Sequence, residues 1–148
     1  MKNYTIGEIA KKYDVSTDTL RYYDKEGLIP FVKKDKANRR YFLESDFQYL
    51  DTILCLKRAG IEVKQIALFI EMCLQGDCTL EDRYDFIKKK EKELEDKITS
   101  LSESLDYLRW KKWYYSEATK AETESIFFKE GTTQVDPKFH EMYLKENK

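Results

Sequence analysis

Apolar residues recur in two rhythms along this chain, and the change falls near residue 79. Before it, short apolar sets alternate with turn residues. Thr5 followed by Glu8 has the spacing of a capping box, and Ile6, Ile9 and Ala10 give the segment behind it, residues 6–12, one apolar helical face. Ser16 is a second N-cap, with Val15 before it and Leu20 behind it at the spacing of a hydrophobic staple. The second helix should run to Glu26, where Gly27 supplies a left-handed terminus and Pro30 prevents resumption. Two short helices joined through Tyr13, Asp14 and Val15 make a helix-turn-helix, with Leu20 and Tyr23 assigned to its small core.

Residues 31–42 have no helical period. Phe31 and Val32 precede a basic turn and Tyr41 and Phe42 follow it, which predicts a two-stranded ribbon, a wing, with its tip near Ala37 and Asn38. Phe47, Leu50, Ile53 and Leu54 recur at helical spacing up to Gly60, and Val63, Ile66, Phe69, Ile70 and Leu74 do so up to Gly76. From Thr79 onward a heptad seam takes over. Leu80, Tyr84, Ile87, Leu94, Ile98, Leu101, Leu105, Leu108 and Tyr115 alternate in steps of four and three, and Glu91 and Lys112 are its polar intrusions. A helix over residues 80–117 would be about 57 Å long, too long for so short a chain to bury, so a second copy is expected to cover the seam. The sequence thus divides into a winged helix-turn-helix head (residues 1–76), a coiled-coil dimerisation helix (79–117) and a C-terminal tail or effector-region cap (118–148). The tail lacks a sustained period and reads as loop or short irregular helix lying on the dimer.

Charge sharpens this picture. The formal net charge of −1 is nearly neutral, yet residues 33–40, KKDKANRR, carry five positive side chains against Asp35 alone. From Gly76 onward 17 acidic residues face 14 basic ones, so the basic material lies at the front. No run of about 18 apolar residues exists to span a bilayer, and the start MKNYTIGEIAKK lacks the apolar core of a secretory signal. A cytoplasmic protein without membrane attachment is expected. Cys55, Cys73 and Cys78 form an odd set without disulfide-framework spacing and are expected to be thiols.

The segment TLRYYDKEGLIP, from Thr19 to Pro30, resembles the signature of the MerR family of bacterial transcription regulators. Ile6 to Ala10 resembles that family's first helix, Asn38 to Tyr41 its wing, Leu56 to Gly60 the end of its third helix, and the heptad segment its dimerisation helix. Ala37 stands where the family usually has Gly at the wing tip, and Leu43 where a Ser or Thr often caps the third helix. The resemblance implies a mainly α fold in which the head is followed by a long antiparallel coiled-coil helix. It also implies a homodimer that binds double-stranded DNA at a pseudo-palindromic promoter site, bends and untwists it, and acts on RNA polymerase there.

A recognition helix needs short polar and cationic side chains on one face, which Ser16, Thr17, Asp18 and Arg21 supply. By resemblance Thr17 and Asp18 lie at the groove, and Arg21 and Tyr22 hold the DNA backbone. The competing reading is that Arg21 only pairs with Asp18 or Asp24 on the surface. In the wing, Asn38, Arg39, Arg40 and Tyr41 are the candidate contacts, and Lys33, Lys34 and Lys36 would add salt-dependent affinity without sequence choice.

Sensing chemistry is less marked. Cys55 falls with Gln48, Thr52 and Ala59 off the apolar stripe of its helix, with Arg58 three residues on. Its place in LCLKRAG looks like that of a single cysteine in the thiol- and aldehyde-responsive branch of the family. Cys78, ahead of Thr79, is a weaker candidate. No metal-ligand pattern is present, His140 is the lone histidine, and no cofactor is expected. Tyr107, Trp110, Trp113, Tyr114 and Tyr115 could line a pocket for a planar cation, but are assigned to packing between the long helix and the opposing head. Without a Cys-His pair, a phosphate-cradling loop or a separable carboxylate pair, an enzyme is not expected. The rival to an effector-responsive regulator is a DNA-architectural or excisionase-like dimer without an effector.

Overall fold

The computed structural model describes residues 2–148. In chain order they form β1 (Asn3–Thr5), α1 (Ile6–Tyr13), α2 (Thr17–Lys25), β2 (Lys33–Lys34), β3 (Arg40–Leu43), α3 (Phe47–Arg58), α4 (Val63–Gln75), α5 (Leu80–Ala121) and α6 (Pro137–Glu146), with short 3-10 turns between some of them. Two compact units are present, Met1–Leu94 and Glu95–Lys148.

Local chemistry sets the helix starts of the first unit. The Thr5 side chain accepts the Glu8 backbone N–H at 3.1 Å while the Glu8 carboxylate accepts the Thr5 N–H at 2.7 Å, closing the capping box. Ser16 Oγ accepts the Thr19 N–H at 3.0 Å, and left-handed Asp14 ends α1 (φ 53°). Ile9, Leu20, Leu28, Ile29, Phe42, Ile53, Ile66 and Ile70 are fully buried in a core that α1 to α4 share with the sheet. Tyr23, 6 % exposed, has the packing role expected of it. Burying each such side chain stabilises by about 1.5–3 kcal/mol before conformational entropy is counted.

The wing differs from the expected ribbon. Its hairpin pairs Lys33 with Tyr41 and Lys34 with Arg40, so the strands begin beyond Phe31 and Val32, and a third strand joins them. β1 pairs antiparallel with β3, Tyr4 opposite Phe42, giving the order β1-β3-β2. Leu43 offers no side-chain cap; instead the buried Asp46 carboxylate accepts its backbone N–H at 2.8 Å. Between α4 and α5 Gly76 has φ +87°, and the Thr79 hydroxyl lies 2.6 Å from the Met72 carbonyl at the end of α4.

In the second unit the tail is more ordered than the sequence indicates. The long helix continues to Ala121, Phe128 bridges to Val135, and Asp136 caps the ten-residue α6, whose first residue is Pro137. Trp110, Tyr114, Ala118 and Phe127 form a buried cluster, against which Trp113, Val135, Phe139 and Tyr143 pack. Trp110, Trp113 and Tyr114 are therefore packed by their own chain's tail. Tyr107 and Tyr115 remain exposed. The aromatic residues after Glu122 have no periodicity because they close on a helix surface rather than form one.

Candidate nucleic-acid interface and sensing cysteines

The α2 face offered by Ser16, Thr17, Asp18, Arg21 and Tyr22 is exposed apart from the half-buried Thr17. Tyr22 is 49 % exposed, a large aromatic side chain that the core does not explain. Arg21 Nη1 donates to Asp18 Oδ1 at 2.9 Å and to Thr17 Oγ1 at 3.3 Å. The surface pair considered from the sequence is thus formed with Asp18. Both partners are solvated, so the pair contributes at most about 1 kcal/mol and leaves the guanidinium exchangeable.

Asp35, counted in the sequence only as the basic segment's single acid, organises the wing tip. Its Oδ1 accepts the backbone N–H groups of Ala37 and Arg39, each at 2.9 Å, and its Oδ2 accepts Arg39 Nε at 3.0 Å. The Arg39 backbone N–H, more than any other group, holds the Asp35 carboxyl below the usual aspartate range. This clamp turns the hairpin without glycine at Ala37, because Asn38 takes the left-handed conformation at φ 60°. Lys33, Lys34, Lys36, Asn38 and Arg39 are exposed around it.

Arg40 has a different position from Arg39. Its Nε donates to Asp24 Oδ2 at 2.7 Å, with both side chains about three-quarters buried, so it joins the wing to α2. Arg21, Asn38, Arg39, Arg40 and Tyr41 nevertheless line one open concavity of about 430 Å³, whose other wall is Asn3 to Ile6. That wall was not recognisable in the sequence, since β1 has only three residues. Each of the three arginines is already paired with an aspartate, Arg21 with Asp18, Arg39 with Asp35 and Arg40 with Asp24.

A second basic concavity, of about 790 Å³, lies where α1 meets α3 and includes Lys12, Tyr13, Asp51, Lys57 and Arg58. Arg58 Nε donates to the Leu54 carbonyl at 3.4 Å, and burial together with Asp51 pushes the Tyr13 phenol up to about 12. Cys55 is exposed and does not line this concavity. Cys78 is also exposed, its thiol 3.7 Å from the Gln75 carbonyl, while Cys73 is half-buried against the core. Among the described residues no cluster of His, Cys, Asp or Glu is placed to hold a metal, and no helix is long and apolar enough to cross a membrane.

A helix-turn-helix buttressed by a three-stranded sheet, with a cationic wing beside its second helix, defines a winged helix-turn-helix DNA-binding protein. The chain belongs to the MerR family of transcription regulators. The family described as MerR HTH family regulatory protein matches residues 4–73. An uncharacterised HTH-type transcriptional regulator of Haemophilus influenzae is 38 % identical over 115 residues, 78 % of this chain and 85 % of its own length. The HTH-type transcriptional regulator AdhR of Bacillus subtilis is 30 % identical over 89 residues, 60 % of this chain and 64 % of its own. Among solved structures, HiNmlR, a MerR family regulator lacking the sensor domain and bound to promoter DNA, superposes with a TM-score of 0.75 at 35 % identity, covering 84 % of this chain and 99 % of that one. The long helix and small sheet are those of such regulators, and transcription regulation through DNA binding is the function of this family.

Proposed function

We propose that the chain acts in the cytoplasm as a homodimer that grips a pseudo-palindromic promoter site, distorts it and so controls RNA polymerase. The observation that carries this reading is the uncovered seam of α5, where Leu80, Tyr84, Ile87, Leu94, Ile98, Leu101, Leu105 and Leu108 are each at least 37 % exposed. A single copy leaves that apolar row in water, and a second copy covers it while supplying a second head. In each head α2 enters the major groove through Ser16, Thr17 and Asp18, and Arg21 and Tyr22 hold the backbone. Asn38, Arg39, Arg40, Tyr41 and the lysines Lys33, Lys34 and Lys36 meet adjoining phosphates. The solved relative bound to promoter DNA supports a DNA partner for this fold. In this scheme residues 1–76 bind DNA, 79–117 dimerise and 118–148 form a C-terminal tail or effector-region cap.

Titration of a promoter duplex at several salt concentrations tests the docking. Arg21→Ala and Arg39→Ala should each remain dimeric by sedimentation, lose about tenfold in affinity and reduce the salt slope by about 1. Unchanged affinity in both would overturn the docking.

For the effector, the exposed Cys55 is assigned to sensing thiol-reactive electrophiles or oxidants, with Cys78 secondary. Its solvent access and its resemblance to the single cysteine of the thiol- and aldehyde-responsive branch support the assignment. Promoter output under graded diamide should respond in wild type and in Cys78→Ser but not in Cys55→Ser. Full induction in Cys55→Ser would transfer the role to Cys78 or to a reversible ligand, and absence of induction in wild type would favour the architectural dimer.

A further inference from the structure

The last third of α5 carries two cations side by side without adequate counter-charge. Arg109 and Lys112 stand three residues apart, which puts them on one helical face, and like charges at that spacing destabilise a helix. Arg109 has only a long 3.7 Å pair with Asp106, in which both side chains are mostly solvated. Lys112 has no ion pair and no cation–π contact among the described residues. Its neighbours three and four residues away, Leu108, Arg109, Tyr115 and Ser116, include no acid. The adjacent Lys111, by contrast, lies 4.5 Å from the Tyr114 ring centroid.

The two cations border an open groove of about 490 Å³ within the second unit, completed by Trp113 and Ser116 of α5 and by Tyr143 and Asn147 at the end of α6. Small-molecule sites run from about 300 to about 1,000 Å³, so the groove is large enough for a bicyclic ring. Trp113 and Tyr143 are half-buried, their ring centroids 5.6 Å apart and their planes tilted by 40°. Behind them Trp110, 4 % exposed, lies 5.6 Å from Trp113 and 5.4 Å from Tyr143. The aromatic floor is thus held in place before any ligand arrives, which lowers the ordering cost of binding.

Charge decides what the floor would take. Aromatic rings by themselves suit a planar cation, but no carboxylate lines this groove and two cations do. The opposing contribution is the C-terminal end of α6, equivalent to about half a negative charge. Its Tyr143 carbonyl already accepts the Asn147 backbone N–H at 3.1 Å and Asn147 Nδ2 at 2.9 Å. Two full positive charges outweigh that partial one. Arg109 offers a planar fork that matches a carboxylate, and Ser116 adds a hydroxyl donor.

We propose that this groove binds a small planar aromatic carboxylate, with Arg109 and Lys112 on the carboxylate and Trp113 and Tyr143 against the ring. The bound anion also relieves the repulsion between the two cations. The site goes beyond the DNA docking and the Cys55 assignment and depends on neither, because ligand binding is measured on the free chain.

Calorimetric titration of the full chain with 2-naphthoate should give a saturable isotherm with Kd below about 1 mM. Three probes separate the contributions: 2-naphthylmethanol keeps the rings without charge, cyclohexanecarboxylate keeps the charge without aromaticity, and 2-naphthylmethylammonium reverses the charge. Each should bind at least about tenfold more weakly than 2-naphthoate. Arg109→Gln and Lys112→Gln should each weaken 2-naphthoate by about fivefold or more, with sedimentation unchanged from wild type. Arg109 lies outside the apolar row of α5, so Arg109→Gln reads the site even if Lys112→Gln alters assembly. Absence of a saturable isotherm overturns the proposal. So does equal binding of any of the three control probes, or a 2-naphthoate affinity that Arg109→Gln leaves unchanged.

Discussion

Arg40 of the wing strand donates to Asp24 of α2 at 2.7 Å, and both side chains are largely withdrawn from water. The wing strand and α2 are therefore tied to each other by an ion pair largely shielded from solvent. Removing either partner leaves the other partly buried without its counter-charge. Asp24→Ala should cost the head about 1–3 kcal/mol, read as a lower thermal midpoint, with Asp24→Asn between it and wild type. An unchanged midpoint in Asp24→Ala would show that the tie contributes nothing.

Asp35 yields an expectation opposite to simple charge counting. Deleting a carboxylate from a cationic wing should tighten DNA binding if only net charge mattered. Because Asp35 clamps Ala37 and Arg39, Asp35→Ala should instead weaken binding by roughly threefold to tenfold, and Asp35→Asn, which retains an acceptor oxygen, should weaken it less. The acid's lowered pKa gives the sign of the pH effect. The clamp is intact above the ordinary aspartate value of 3.8 and is lost as pH falls below it, which the amide resonances of Ala37 and Arg39 would report. Tighter binding by Asp35→Ala would refute the clamp.

In the second unit the buried Tyr114 hydroxyl donates to Glu124 Oε2 at 2.9 Å, and burial, then this bond, pushes its pKa up to about 12. A phenol that resists ionisation in the fold contributes stability present below the unfolded value of 10.0 and lost as pH rises through the folded one. Fluorescence of the packed Trp110 and Trp113 should therefore report loosening of this unit between about pH 10 and about pH 12. Tyr114→Phe should be about 1 kcal/mol less stable at neutral pH and should lose this contribution to the alkaline transition. Identical alkaline transitions in the two proteins would contradict the assignment.

Features within one turn of chain were legible in the sequence. The Thr5 box, the Ser16 cap and the left-handed Asn38 depend on neighbours two to four residues away, and their chemistry appears in the residue types themselves. The seam was equally plain, because its period is carried by one continuous helix. The pairing of Asn3 to Thr5 with Tyr41 to Leu43 was hidden, since a three-residue strand has too few positions to display alternation. The Arg40 tie to Asp24 spans sixteen residues and likewise has no local signal. The tail failed for a related reason: Phe127, Phe139 and Tyr143 are held by Trp110, Trp113 and Tyr114 across a turn whose path periodicity does not encode.

The three arginine–aspartate pairs give the head the character of an ion exchanger kept in its salt form. A phosphate oxygen that reaches Arg21, Arg39 or Arg40 does not find a bare cation; it must displace Asp18, Asp35 or Asp24. The exchange is close to even only at the solvated Arg21–Asp18 pair, since displacing Asp24 or Asp35 also breaks a part-buried tie or the wing clamp. It becomes favourable only where several phosphates arrive together at the spacing of the arginines. A free nucleotide presents one charged group and gains little by such an exchange, whereas a surface that presents several phosphates at once can gain at each pair.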